Sequence, residues 1–246
     1  MAEAALNYRR LDPDKIVETV RALKARIERR FPESGLSKVV TELQEVAEET
    51  VTRTRWIQAP HLPLRIAAGL LILAIVALAV LMVVNVHQFQ FNDYTNFIQA
   101  LEASISSLVF TGAAILFLLT WEARIKRRRA LKAVHELRAL AHIIDMHQLT
   151  KDPESYFAPQ QSSTSTATIK RHMTPFELNR YLDYCSESLA LISKIAALYV
   201  QGFQDPVLLD AVDDMEDLTA GFSRKIWQKL TILETLGKAI RGRAEE

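Results

Sequence analysis

The chain has 246 residues, with 30 Lys and Arg against 29 Asp and Glu, for a net charge of +1. That balance excludes a nucleic-acid binder driven by bulk positive charge. Its 7 Gly and 8 Pro are too few for a loop-rich β architecture, and the single cysteine, Cys185, excludes an internal disulfide and a multi-cysteine zinc site.

Residues 1–60 read as a cytoplasmic helical hairpin. Asp12 caps a helix that has Pro13 at its first position, and Ile16, Val20, Leu23 and Ile27 repeat at alternating spacings of four and three. Pro32-Glu33-Ser34-Gly35 supplies the turn. A second helix follows with Leu36, Val40, Leu43, Ala47, Thr50, Thr54 and Ile57 on one face, ending at Pro60. The opening residues contain no apolar run, so no cleavable signal is expected.

Residues 61–86 read as a first transmembrane helix. From Leu64 to Val86 the only charge is Arg65, and the segment is apolar all round until Asn85, whereas a soluble helix keeps a polar stripe. At ~1.5 Å per residue, about 20 helical residues match a hydrocarbon core of roughly 30 Å. Residues 87–102 are expected to be a short extracytoplasmic loop, with Asp93 and Glu102 but no Lys or Arg. Residues 103–122 form the second span. It is more polar, with Ser104, Ser106, Ser107 and Thr111 in its first half, but hydroxyls can bond back to helix carbonyls.

Residues 123–150 are predicted to continue that helix into the cytoplasm, burying Ala130, Val134, Leu137, Ala141 and Ile144, with Leu131, Leu140 and Ile143 widening the face. Residues 151–173 are polar, with a Ser/Thr run at 162–168, and read as a flexible linker. Residues 174–246 form a second antiparallel hairpin. Thr174 and Glu177 make a capping box around Pro175, ahead of Leu178, Leu182, Cys185, Leu189, Ile192, Ala196, Tyr199 and Phe203. Asp205-Pro206 starts the last helix, whose predicted face is Leu209, Val212, Met215, Leu218, Phe222, Ile226, Leu230 and Leu233, with Gly237 as its stop. These faces can bury one another in a bundle or form coiled coils between chains, and burial energy alone does not choose.

Lys and Arg placement sets the expected topology. Arg53, Arg55 and Arg65 lie on the near side of the first span, and Arg124, Lys126, Arg127, Arg128, Arg129 and Lys132 follow the second. With no basic residue between the spans, both termini belong in the cytoplasm. Trp56 and Trp121 flank the cytoplasmic ends, where indoles favour the headgroup level. Arg65, Arg124 and Lys126–Arg129 are therefore candidate lipid-contacting cations. A nucleic-acid role for that cluster is disfavoured, because no aromatic stacking platform accompanies it.

Within the second span, Ala103, Ser107, Thr111 and Ala114 form a small-residue ridge, suited to helix packing or to lining a pore. His135, His142 and Asp145 share a stripe, but histidines seven apart are ~10.5 Å apart along a helix, too far for one metal. Asp210, Asp213, Asp214, Glu216 and Asp217 lack the loop geometry of a calcium site. No phosphate-binding glycine loop, nucleophile elbow or zinc-protease motif is present.

The expectation is an all-α, two-pass membrane protein of a bacterial inner membrane, with a cytoplasmic bundle of long amphipathic helices. Its expected role is a non-catalytic, self-associating interaction scaffold, with an oligomeric channel lined by the second span as the alternative. The bilayer and a second copy or another protein are its expected partners; no cofactor, metal, nucleic acid or small-molecule substrate is expected.

Overall fold

The computed structural model describes residues 9–59, 62–86, 94–151, 153 and 173–244. These residues contain six α-helices and no strand: α1 (Pro13–Arg30), α2 (Gly35–Gln58), α3 (Leu62–Val86), α4 (Tyr94–Leu149), α5 (Pro175–Gln201) and α6 (Pro206–Ala244). The expected linker lies almost wholly outside the described residues, as do residues 87–93 of the expected loop. The chain divides into two compact units, Met1–Gln58 with Ala130–Glu246, and Ala59–Arg129.

In the first unit the caps act as their residue types dictate. The Asp12 carboxylate accepts from the Asp14 and Lys15 amides, and Thr174 and Glu177 each accept the other's amide in a complete capping box. The Asp205 carboxylate accepts from the Leu208 amide at the start of α6. Each satisfies backbone donors that the first helical turn leaves without a partner.

The apolar faces bury one another within the chain. One cluster joins Ile16, Val20, Leu23 and Ile27 of α1 to Leu36, Val40 and Leu43 of α2, and draws in the Ala130–Ile144 face of α4 and the faces of α5 and α6. Ion pairs give the directions: Asp14, at the start of α1, meets Arg55 near the end of α2, and Arg21 meets Glu48, so the two run antiparallel. Arg26 meets Glu187 while the Leu11 amide meets Gln201, so α1 and α5 are antiparallel as well. Thr50 and Thr54 occupy core positions because their hydroxyls donate to the Val46 and Thr50 carbonyls at 2.7 Å. Thr50 also shares a 3.0 Å hydrogen bond with the Tyr199 hydroxyl, joining α2 to α5.

Several expectations need correction. α4 begins at Tyr94, so residues 94–102 of the expected loop are helical. The stretch Tyr94–Glu102 contains no Gly or Pro to break a helix, so the helix of the second span extends back through it. α6 does not stop at Gly237 but continues to Ala244. One glycine costs a helix interior only about 1 kcal/mol, and Lys238, Ala239 and Ile240 carry the helix past it.

The α6 face begins at Leu208, fully buried, and not at the exposed Leu209. Four residues back from Val212 lies nearer the seam here than three. Ile143 is exposed, and Ala133 takes the flank instead. On α5, Tyr181, Tyr184, Ser188, Leu191, Ile195 and Leu198 are buried beside the predicted stripe. That helix packs against α1, α2 and α6, and a helix covered from several sides buries more than one stripe.

In the second unit the side chains of α3 and α4 are largely uncovered. Ile66, Leu70 and Leu73 of α3 and Leu108, Val109, Phe110 and Leu116 of α4 are all exposed. Among the described residues one helix, α4, is long and apolar enough to cross a membrane: an 18-residue window within Ile105–Leu149 has a mean hydropathy of 1.7, and none of it is buried. The described apolar run of α3, Ile66–Ala77, is shorter.

Candidate membrane-interface site

The apolar part of α4 meets its basic flank at Trp121. The indole is exposed and lies against Phe117, with ring centroids 5.2 Å apart and planes tilted by 51°. One residue earlier, the Thr120 hydroxyl donates to the carbonyls of Leu116 and Phe117 at 2.9 and 3.0 Å. That hydroxyl is satisfied inside its own helix, the condition under which lipid tolerates it.

Beyond Trp121 the predicted cations separate into two groups. Arg124 and Arg128 are exposed. Lys126, expected to face headgroups, is only 7% exposed. Its ammonium lies 2.8 Å from the Glu122 carboxylate and donates at 2.8 Å to the Ala59 carbonyl. An amine so paired ties α4 to the backbone leading into α3 and is not free for lipid. The sequence carried part of this signal, since Glu122 stands four residues before Lys126, the favoured order for a helical ion pair. Arg127 is half-buried, and both it and Arg129 have interactions of their own.

Of the small-residue ridge, Ser107 and Ala114 are exposed and Thr111 is half-buried. The side chains of Arg65 and Ala103 fall outside the described set. Trp56, expected at the headgroup level, is half-buried against the core of the first unit.

The weaker candidates do not assemble. His135 and His142 are exposed, whereas Asp145 is buried and accepts a 2.7 Å hydrogen bond from the Gln148 side chain. The His142 ring instead meets Phe222 edge-on at 5.4 Å. Among the described residues no group of three His, Cys, Asp or Glu could hold a metal ion. The acids between Asp210 and Asp217 of α6 are all exposed, and Asp214 meets Arg138 at 3.5 Å. Burial pushes the Cys185 thiol up to about 12, against a weaker opposite pull from Lys151 and Lys229, so it is protonated and shielded.

Two arrangements were not legible in the sequence. Arg53 bridges Glu49 at 2.5 Å and Glu136 of α4 at 2.6 Å, pinning α4 to α2. His147 packs over Gly35 so closely that a Cβ there would overlap its ring. Glu49 is one turn from Arg53, but Glu136 and the Gly35–His147 pair are distant in sequence, and only the folded bundle brings those together.

No protein family, curated protein or solved structure matches the chain.

Proposed function

We propose that the chain is a two-pass membrane protein with both termini in the cytoplasm, and that it serves as a non-catalytic helical scaffold. The supporting observation is the uncovered apolar surface of α4, where Leu108 is 73% and Phe110 77% exposed. Each such side chain left in water forgoes about 1.5–3 kcal/mol, which a hydrocarbon surround returns. α3 contributes the first pass, and Arg124 and Arg128 hold the cytoplasmic end of α4 at the headgroups.

The scaffold reading is supported by how the amphipathic faces are used. The stripes of α1, α2, α5 and α6 are spent inside the chain, so association between copies must use the lipid-facing ridge at Ser107, Thr111 and Ala114 or the outer faces of the bundle.

The test is twofold. Alkaline carbonate washing should leave the protein in the membrane pellet, and crosslinking in native membranes should give discrete multimers or one stable partner. A strictly monomeric protein without a partner contradicts the scaffold. Unitary currents in planar bilayers that change with Ser107→Ala or Thr111→Ala would replace it with the channel.

A further inference from the structure

We infer that the end of the bundle formed by the last turns of α1 and the first turns of α5 is a binding site for a phosphate-bearing ligand. A cleft of about 410 Å³ lies on α6, but the one of about 400 Å³ on α1 is lined only by Arg26, Arg29, Arg30 and Tyr184. Spacings of three and four residues put the three guanidinium groups on one face of α1.

Two of the three are held in place from α5. Arg26 takes both oxygens of Glu187, at 2.5 and 3.3 Å, and lies 5.8 Å from the centroid of the Tyr184 ring. Arg30 lies 5.3 Å from the centroid of Phe176. Behind them Phe31 meets Tyr181 and Tyr184 edge-on at 5.4 and 6.2 Å, which makes the wall of the cleft rigid.

Stacking fixes the plane of a guanidinium while leaving its N–H edge able to donate. Among the described residues neither Arg29 nor Arg30 has an ion pair or a hydrogen bond, so neither is spent capping the carbonyls at the end of α1. Glu187 offsets one of the three charges and leaves a cationic pocket. A phosphate fits this set, because its oxygens accept the parallel N–H pairs of arginine and its charge balances what remains.

The same chemistry is offered by a lipid headgroup and by a soluble phosphate ester, and the experiment separates them. The full-length protein in neutral detergent is titrated calorimetrically with inorganic pyrophosphate and with short-chain phosphatidic acid. The double variant Arg29→Gln/Arg30→Gln is treated identically. The wild type is expected to bind saturably, with affinity at least about tenfold weaker in the double variant, the loss of one or two charge-assisted hydrogen bonds. Tighter binding of phosphatidic acid than of pyrophosphate assigns the site to a headgroup, and equal or weaker binding assigns it to a soluble phosphate. Because both replaced residues lie outside the buried core, the variant should unfold at the wild-type midpoint. Arg29→Lys/Arg30→Lys keeps the charge and loses the paired donors, and it should fall between the two. Absence of saturable binding by either probe, or equal binding by wild type and the glutamine variant, overturns the proposal.

Discussion

Gly35 is a glycine because of what faces it. At the first turn of α2, two residues after Glu33 in the left-handed region at φ 59°, it lets the His147 ring of α4 sit against the backbone. Gly35→Ala should therefore destabilise the first unit by about 1–3 kcal/mol, the usual cost of overpacking. Cys185 supplies the readout, since the chain's one thiol is buried at the centre of α5 and becomes reactive only when the bundle opens. Faster thiol labelling under denaturant is the expected result.

The same contact makes a pH prediction. Burial, reinforced by Lys151, lowers the pKa of His147, so the folded state holds the imidazole neutral. The unfolded chain takes up the proton near its ordinary value of about 6.5. This contribution to stability is present above that pH and is lost as the pH falls below it toward the depressed folded value. Between pH 7.5 and 5.5 the denaturation midpoint of the wild type should fall further than that of His147→Gln; equal slopes would remove His147 from the account.

At the scale of the helix, local chemistry was legible wherever it is local in sequence. The Thr174–Glu177 box and the Asp12 cap follow from adjacent residues, and both are found as expected. Thr174→Ala should cost about 1 kcal/mol and fray α5 first, visible as faster amide exchange at residues 176–178. The seven-residue face of α2 was legible for the same reason, down to the buried Thr50 and Thr54.

Where the reading failed, the deciding forces were not local. The extra buried tyrosines of α5 reflect its neighbours, the burial of Lys126 reflects a carbonyl sixty-seven positions away, and Leu208 displaces Leu209 because the partner helix sets the seam. The arginine cleft was invisible because Tyr184 and Glu187 come from a different helix. Gly237 does not end α6, because the helix formers after it outweigh the propensity cost of one glycine. Gly237→Ala should accordingly stabilise α6 by up to about 1 kcal/mol, measured as increased helicity by circular dichroism; a loss would mean that the glycine accommodates a close neighbour.

For the whole molecule, the division of labour follows from where apolar surface ends up. The first unit hides its stripes in a shared core, while the second displays them on α3 and α4. Water would penalise the second arrangement and lipid would not, which favours placement of α3 and α4 in a bilayer. The most direct measurement is cysteine topology in intact cells. Gln99→Cys lies just before the apolar part of α4, and Lys238→Cys lies on the exposed end of α6; each is placed in the Cys185→Ser background. A membrane-impermeant maleimide should label Gln99→Cys from outside and Lys238→Cys only after permeabilisation. Labelling of Lys238→Cys on intact cells, or protection of both until lysis, would contradict a two-pass protein with its bundle in the cytoplasm.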